Sequence, residues 1–122
     1  NQRFELIENE ILDIIKIDFE KLPTLLPNKQ PTILWESYYN GDNDTLSEKS
    51  YSRLGRRVYS NIKVKYSENK SFRSLINKYL KVFEGIISNY QKNNDESKIS
   101  TLLDSESGIL FILVSHSIGK LD

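Results

Sequence analysis

The sequence predicts an all-α protein, an irregular bundle of five to six helices forming a single compact domain. Three observations carry that reading. Apolar residues recur at steps of three and four along most of the chain, the spacing of a helix face turned to a core. Cap-forming and helix-stopping residues fall between those stripes. The one run that reads equally well as a buried strand, Ile109-Leu110-Phe111-Ile112-Leu113-Val114, would be a strand without a partner. At 122 residues the chain has the size of one domain, and burying about two-thirds of its unfolded surface requires no staples.

The first helix is expected over Phe4–Leu22. Phe4, Ile7, Ile11, Ile14, Ile15, Asp18 and Leu22 form its inner stripe, with Glu5, Glu8, Asp13 and Glu20 pointing elsewhere. Pro23 ends it, and residues 23–28 read as an extended or turn connection, since residues before proline avoid the α region. Pro31 suits the first turn of a short helix, Thr32–Tyr39, stopped by Asn40-Gly41. Asp42-Asn43-Asp44 is a loop. Thr45-Leu46-Ser47-Glu48 has the form of a capping box, and opens a helix expected to run to about Lys65, with Tyr51, Leu54, Val58, Ile62 and Tyr66 inward. Ser67-Glu68-Asn69 breaks it.

Ser71 is the next candidate cap. It precedes the cleanest stripe in the chain: Phe72, Leu75, Ile76, Tyr79, Leu80, Phe83, Ile86, Ile87 and Tyr90. After a polar loop at 91–95, Ile99, Leu102 and Leu103 mark a short helix from about Asp95. Asp104-Ser105-Glu106-Ser107 offers caps for a last one, Gly108–Leu121, because the apolar segment is too long for an ordinary strand.

Composition narrows the function classes. No cysteine excludes disulfides, thiolate metal sites and a cysteine nucleophile. It does not fix the compartment, and a cytoplasmic location is the working expectation. The longest apolar run, six residues, is far short of a membrane span. The absence of alanine, with fourteen isoleucines and abundant Asn, Lys and Ser, looks like the product of a low-GC genome. The opening on Asn1 is expected of a fragment of a longer or processed protein.

Charge is segregated within a net charge of zero. From Tyr51 to Lys81 stand nine Lys/Arg against Glu68 alone, about +8; residues 1–50 carry −5 and residues 82–122 carry −3. Such a distribution either docks an anionic partner or is neutralised by the fold's own acids. Arg53, Arg56, Arg57 and Lys63 share one helix face, as do Lys70, Arg73 and Lys81 on the next, each opposite an apolar stripe. Trp35, Tyr38 and Tyr39 form the second candidate surface, Trp and Tyr being frequent interface anchors and equally frequent core fillers.

Catalytic readings find little. His116, the single histidine, sits between Ser115 and Ser117, but adjacent residues on a helix point about 100° apart, so neither serine is its partner. The segment 40–45 lacks the glycine and glutamate of a calcium loop. The five glycines stand singly, so no phosphate loop exists. Glu8, Glu36 and Glu84 form a catalytic set only if the fold brings them together.

The expected function is therefore non-catalytic: a helical interaction or scaffold domain binding a protein partner, an acidic one where the basic face makes the contact, through the basic face or the aromatic surface. No cofactor or metal is expected. The alternative is a nucleic-acid-binding domain using the basic 53–81 helices, weakened by the zero net charge and the absence of a known nucleic-acid signature. Oligomeric state is open at this level.

Overall fold

The apolar run 109–114 lies within a helix, and the rest of the molecule is built around it. The computed structural model describes residues 2–27, 31–39 and 48–120, with side chains for 3–27, 31–36 and 49–120. Among these are six α-helices and no strand: α1 (Gln2–Ile15), α2 (Pro31–Tyr39), α3 (Arg53–Glu68), α4 (Lys70–Lys92), α5 (Glu96–Leu103) and α6 (Glu106–Ser117). Two 3-10 segments, Phe19–Leu25 and Glu48–Ser50, complete the set.

In α6 every residue from Gly108 to Ser117 is buried, so the helix has no polar face and must be enclosed on all sides. It touches α2, α3, α4, α5 and the first 3-10 segment. Phe111 at its centre stacks on Phe83 of α4, with ring centroids 3.9 Å apart, and on Trp35 of α2 at 5.3 Å. Phe4 of α1 joins the same core against Tyr79 and Phe83, at 5.8 Å each. Full burial of such side chains contributes about 1.5–3 kcal/mol each.

The helix ends follow from local chemistry. Ser52, Asn69, Asp95 and Ser105 are the N-caps of α3 to α6, each accepting a hydrogen bond from the amide three residues on. Three C-termini close alike, with one left-handed residue and an amide reaching back five positions: Lys16 with Ile17 N–H to Leu12 O, Asn94 with Asp95 N–H to Tyr90 O, and Gly119 with Lys120 N–H to Ser115 O.

Several expected boundaries are corrected. The first helix stops at Ile15, seven residues before Leu22, and Asp18 is exposed. Pro23 lies inside a 3-10 segment, not at the end of an α-helix, and Leu22 and Leu25 of that segment are fully buried. On α1, Leu12 and Glu8 are buried and Ile14 is 39% exposed. The third long helix begins at Arg53, capped by Ser52; the proposed capping box at 45–48 and the loop and stop at 40–44 fall outside the fully described residues. The cap of α4 is Asn69, not Ser71.

Two glycines allow close approach. A Cβ on Gly55 would stand 2.3 Å from Leu25 O, and one on Gly108 would stand 2.0 Å from Leu103 O. The first lets α3 lie against the 3-10 segment, where Ser52 N–H also bonds Leu25 O at 3.0 Å. The second permits the tight turn from α5 into α6.

Candidate interaction surface

The α3–α4 hairpin carries the basic stretch. The helices run antiparallel, since Tyr66 Oη near the end of α3 donates to Asn77 Oδ1 of α4 at 2.8 Å. Their apolar stripes face the core, so the intervening positions are left to solvent. Arg53, Arg56, Arg57, Lys63, Lys70, Lys78 and Lys81 are all exposed.

These cations do not share one role. Arg73 is half-buried and folds back on the end of α3: Nε donates to Tyr66 O at 2.9 Å and Nη2 to Ser67 O at 2.8 Å. Its guanidinium lies 5.9 Å from the Tyr66 ring centre. It thus satisfies carbonyls at a helix C-terminus, where the dipole favours a cation. Arg56 Nη1 donates to Tyr51 O at 3.3 Å, and Lys63 Nζ sits 6.0 Å above the Tyr59 ring. Among the described residues none of the nine cations from Arg53 to Lys81 is ion-paired to an acid; the pairs present are Lys98–Asp95 and Lys120–Glu84. Internal neutralisation by contact therefore does not account for the charge segregation.

The hairpin surface is divided between two sides. On one, a groove of about 410 Å³ is lined by Tyr66, Asn77, Lys81, Glu84, Ile118 and Lys120. On the other, a groove of about 460 Å³ separates α1 from the hairpin turn, with Glu10 and Ile14 on one wall and Lys65, Phe72, Leu75 and Lys78 among those opposite.

Aromatic side chains are presented there only in part, by Tyr66 on the wall of the first groove. Tyr51, Tyr59 and Tyr79 are buried and Tyr66 is half-buried. Trp35 is 8% exposed and stacked on Phe111, which makes it a core residue and removes it from the candidate surface. The side chains of Tyr38 and Tyr39 lie outside the described residues. Asn69, the first residue of an Asn-Lys-Ser sequon, has its side-chain oxygen engaged by Phe72 N–H at 2.9 Å.

His116 is structural in its surroundings. It is 6% exposed, its Nδ1 lies 2.8 Å from Tyr51 Oη, and its ring centre is 4.9 Å from that of Tyr59. Burial pushes the Tyr51 hydroxyl well above the usual tyrosine range, with Tyr59 adding to the shift.

The carboxylates Glu8, Glu36 and Glu84 do not converge. Glu8 meets the first turn of α6 through Ser107, and Glu84 meets Lys120 beyond its last turn; the 12 residues of α6 span roughly 18 Å. Glu36 lines a separate groove between α2 and α5. Glu8 is the group that sequence reasoning placed on the wrong side. It is 4% exposed, Ser107 Oγ donates to its Oε1 at 3.0 Å, and its Oε2 has no hydrogen-bond partner. Burial raises its carboxyl above the ordinary carboxylate range; the Ser107 bond opposes the shift, and Glu5 and Glu106 add to it.

Among the described residues no three His, Cys, Asp or Glu side chains gather as metal ligands would, and no helix is long and apolar enough to cross a membrane. Compared with models of known families, with curated proteins and with solved structures, the chain matches none.

Proposed function

We infer that this is a non-catalytic interaction domain whose basic α3–α4 surface docks an acidic protein segment. One observation carries the reading: the exposed cations of the hairpin have no acidic partner within the described structure. A cluster of like charges left to solvent is a steering and docking surface for an anion. The buried tyrosines favour a protein over single-stranded nucleic acid, which binds through exposed aromatic platforms.

The test is binding of a fluorescent glutamate-rich peptide, and separately of single- and double-stranded DNA and RNA, at about 50 and 200 mM salt. Peptide binding with a shallow salt dependence, lost in Arg53→Glu plus Arg57→Glu, is the expected result. Preferential nucleic-acid binding, falling by close to one log unit per log of salt for each phosphate contacted, would move the assignment to the alternative. Binding of neither would overturn both.

A further inference from the structure

We propose that the acidic partner of this surface is a second copy of the chain, docked across the groove between α1 and the α3–α4 hairpin. The proposal rests on the reading of the hairpin as an anion-docking surface, and it names the anion.

The two walls of the groove carry opposite charge. On α1, helical spacing places Leu6, Glu10, Asp13 and Ile14 on one outer ridge. Leu6 is 64% exposed and Ile14 39%, so two carboxylates are interleaved with two apolar side chains, the first largely and the second partly open to solvent. On the hairpin, Lys70, Lys78 and Lys81 lie on the outer ridge of α4, and Lys65 of α3 lines the groove beside them. Glu10, Lys65 and Lys78 line one groove, yet no ion pair joins them within the chain. Each wall is left with its charge available.

The placement of the walls suits self-association. Phe4 packs on Tyr79 and Phe83, and Ile14 shares the groove with Phe72 and Leu75, so α1 and α4 run antiparallel, side by side. A two-fold axis parallel to these helices and lying over the groove sets each α1 on the partner's α4. Acid then meets base twice, and Leu6 and Ile14 of each copy are covered. Such an interface is isologous and closes at two subunits. An unrelated acidic segment would satisfy only the basic wall and leave the acidic, apolar wall of α1 exposed.

Sedimentation equilibrium of the full chain over micromolar to millimolar concentrations, at about 50 and 500 mM salt, tests this. The expected result is a monomer–dimer equilibrium weakened at high salt, where screening shortens to a few ångströms. Lys65→Glu plus Lys78→Glu should abolish the dimer, as should Glu10→Lys plus Asp13→Lys, and mixing the two variants should restore a heterodimer. Thermal unfolding of each variant checks that it is folded. A monomer at every concentration, or dimers that survive both charge reversals, would overturn the proposal. The glutamate-rich peptide separates the two claims: binding by a strictly monomeric chain would leave the docking surface standing and remove self-association alone.

Discussion

Glu8 offers the sharpest test of the fold's energetics. Its carboxyl is 4% exposed, with one oxygen bonded to Ser107 and the other without a partner. Folding therefore favours the protonated form, and the folded pKa lies above the ordinary value of 4.5. The sign follows from proton counting. Below 4.5 both folded and unfolded chains hold the proton, and the burial carries no charge penalty. Above it the unfolded chain releases the proton first, so stability falls as pH rises, by at most about 1.4 kcal/mol per pH unit, until the folded pKa is passed. Glu8→Gln keeps an oxygen for Ser107 and removes the charge. Its amide nitrogen adds a buried donor, but that cost is the same at every pH.

The readout is thus the difference between Glu8→Gln and the native chain in urea or thermal unfolding followed by circular dichroism, at pH 5 and pH 8. Leaving a buried carboxylate oxygen unmatched costs about 1–3 kcal/mol, and in a domain of this size 1 kcal/mol moves Tm by roughly 4 °C. The variant should gain on the native protein as pH rises, by a total in that range. Parallel stability curves at the two pH values would refute the reasoning, because they would show that Glu8 titrates as it does in the unfolded chain.

Two glycines on helices should respond to alanine in opposite directions. Gly108→Ala places a methyl 2.0 Å from Leu103 O and should cost more than about 2 kcal/mol through the backbone shift it forces. Gly85→Ala meets nothing within 4 Å in the middle of α4 and should gain up to about 1 kcal/mol of helix propensity; urea midpoints of both variants decide the pair. Tyr51→Phe removes the hydroxyl 2.8 Å from His116 Nδ1 and should cost about 1–2 kcal/mol, read from the same denaturation curves. A Tyr51→Phe variant as stable as the native chain would mean that this hydrogen bond has no net worth.

Much of the architecture was legible because periodicity reports burial. The stripes on α3 and α4 and a short helix starting near Asp95 follow from residue type and spacing; the helical nature of 109–114 follows instead from the length of the apolar segment and the lack of a partner strand. The break after α1 did not, for a definite reason. Leu22 is in phase with Phe4, Ile7, Ile11 and Ile15, so a continuous helix and a helix followed by a 3-10 segment give the same stripe. The usual marker, a glycine at the left-handed position, is also missing; Lys16 takes φ 59° instead, at about 1–2 kcal/mol. Glu8 was hidden by its residue type and not by its position. Four residues from both Phe4 and Leu12, it is in phase with the buried face of α1, but an acid stays on such a face only with a polar partner, and that partner, Ser107, comes from 99 positions away.

The surface was less legible still, and the energetics explain why. Zero net charge suggested that the acids of the flanking segments would meet the hairpin cations. An exposed pair contributes only about 0–1 kcal/mol, far less than burial of a single Phe or Ile, so the apolar stripes set the helix positions and the charges fall where those stripes leave them. Beyond roughly 10 Å at moderate salt, acid and base then scarcely interact, and a neutral chain can keep a basic hairpin unpaired. The same inequality makes the charge-reversal tests clean. Replacing Arg53 and Arg57 removes no ion pair among the described residues, so each substitution should alter stability by no more than about 0.5 kcal/mol. Lys65 and Lys78 share a groove with Glu10, and Lys65 stands in the last turn of α3, so their reversal should cost up to about 1 kcal/mol each, which the unfolding curves of the variant report. Any large loss of binding or dimerisation then belongs to the surface and not to the fold.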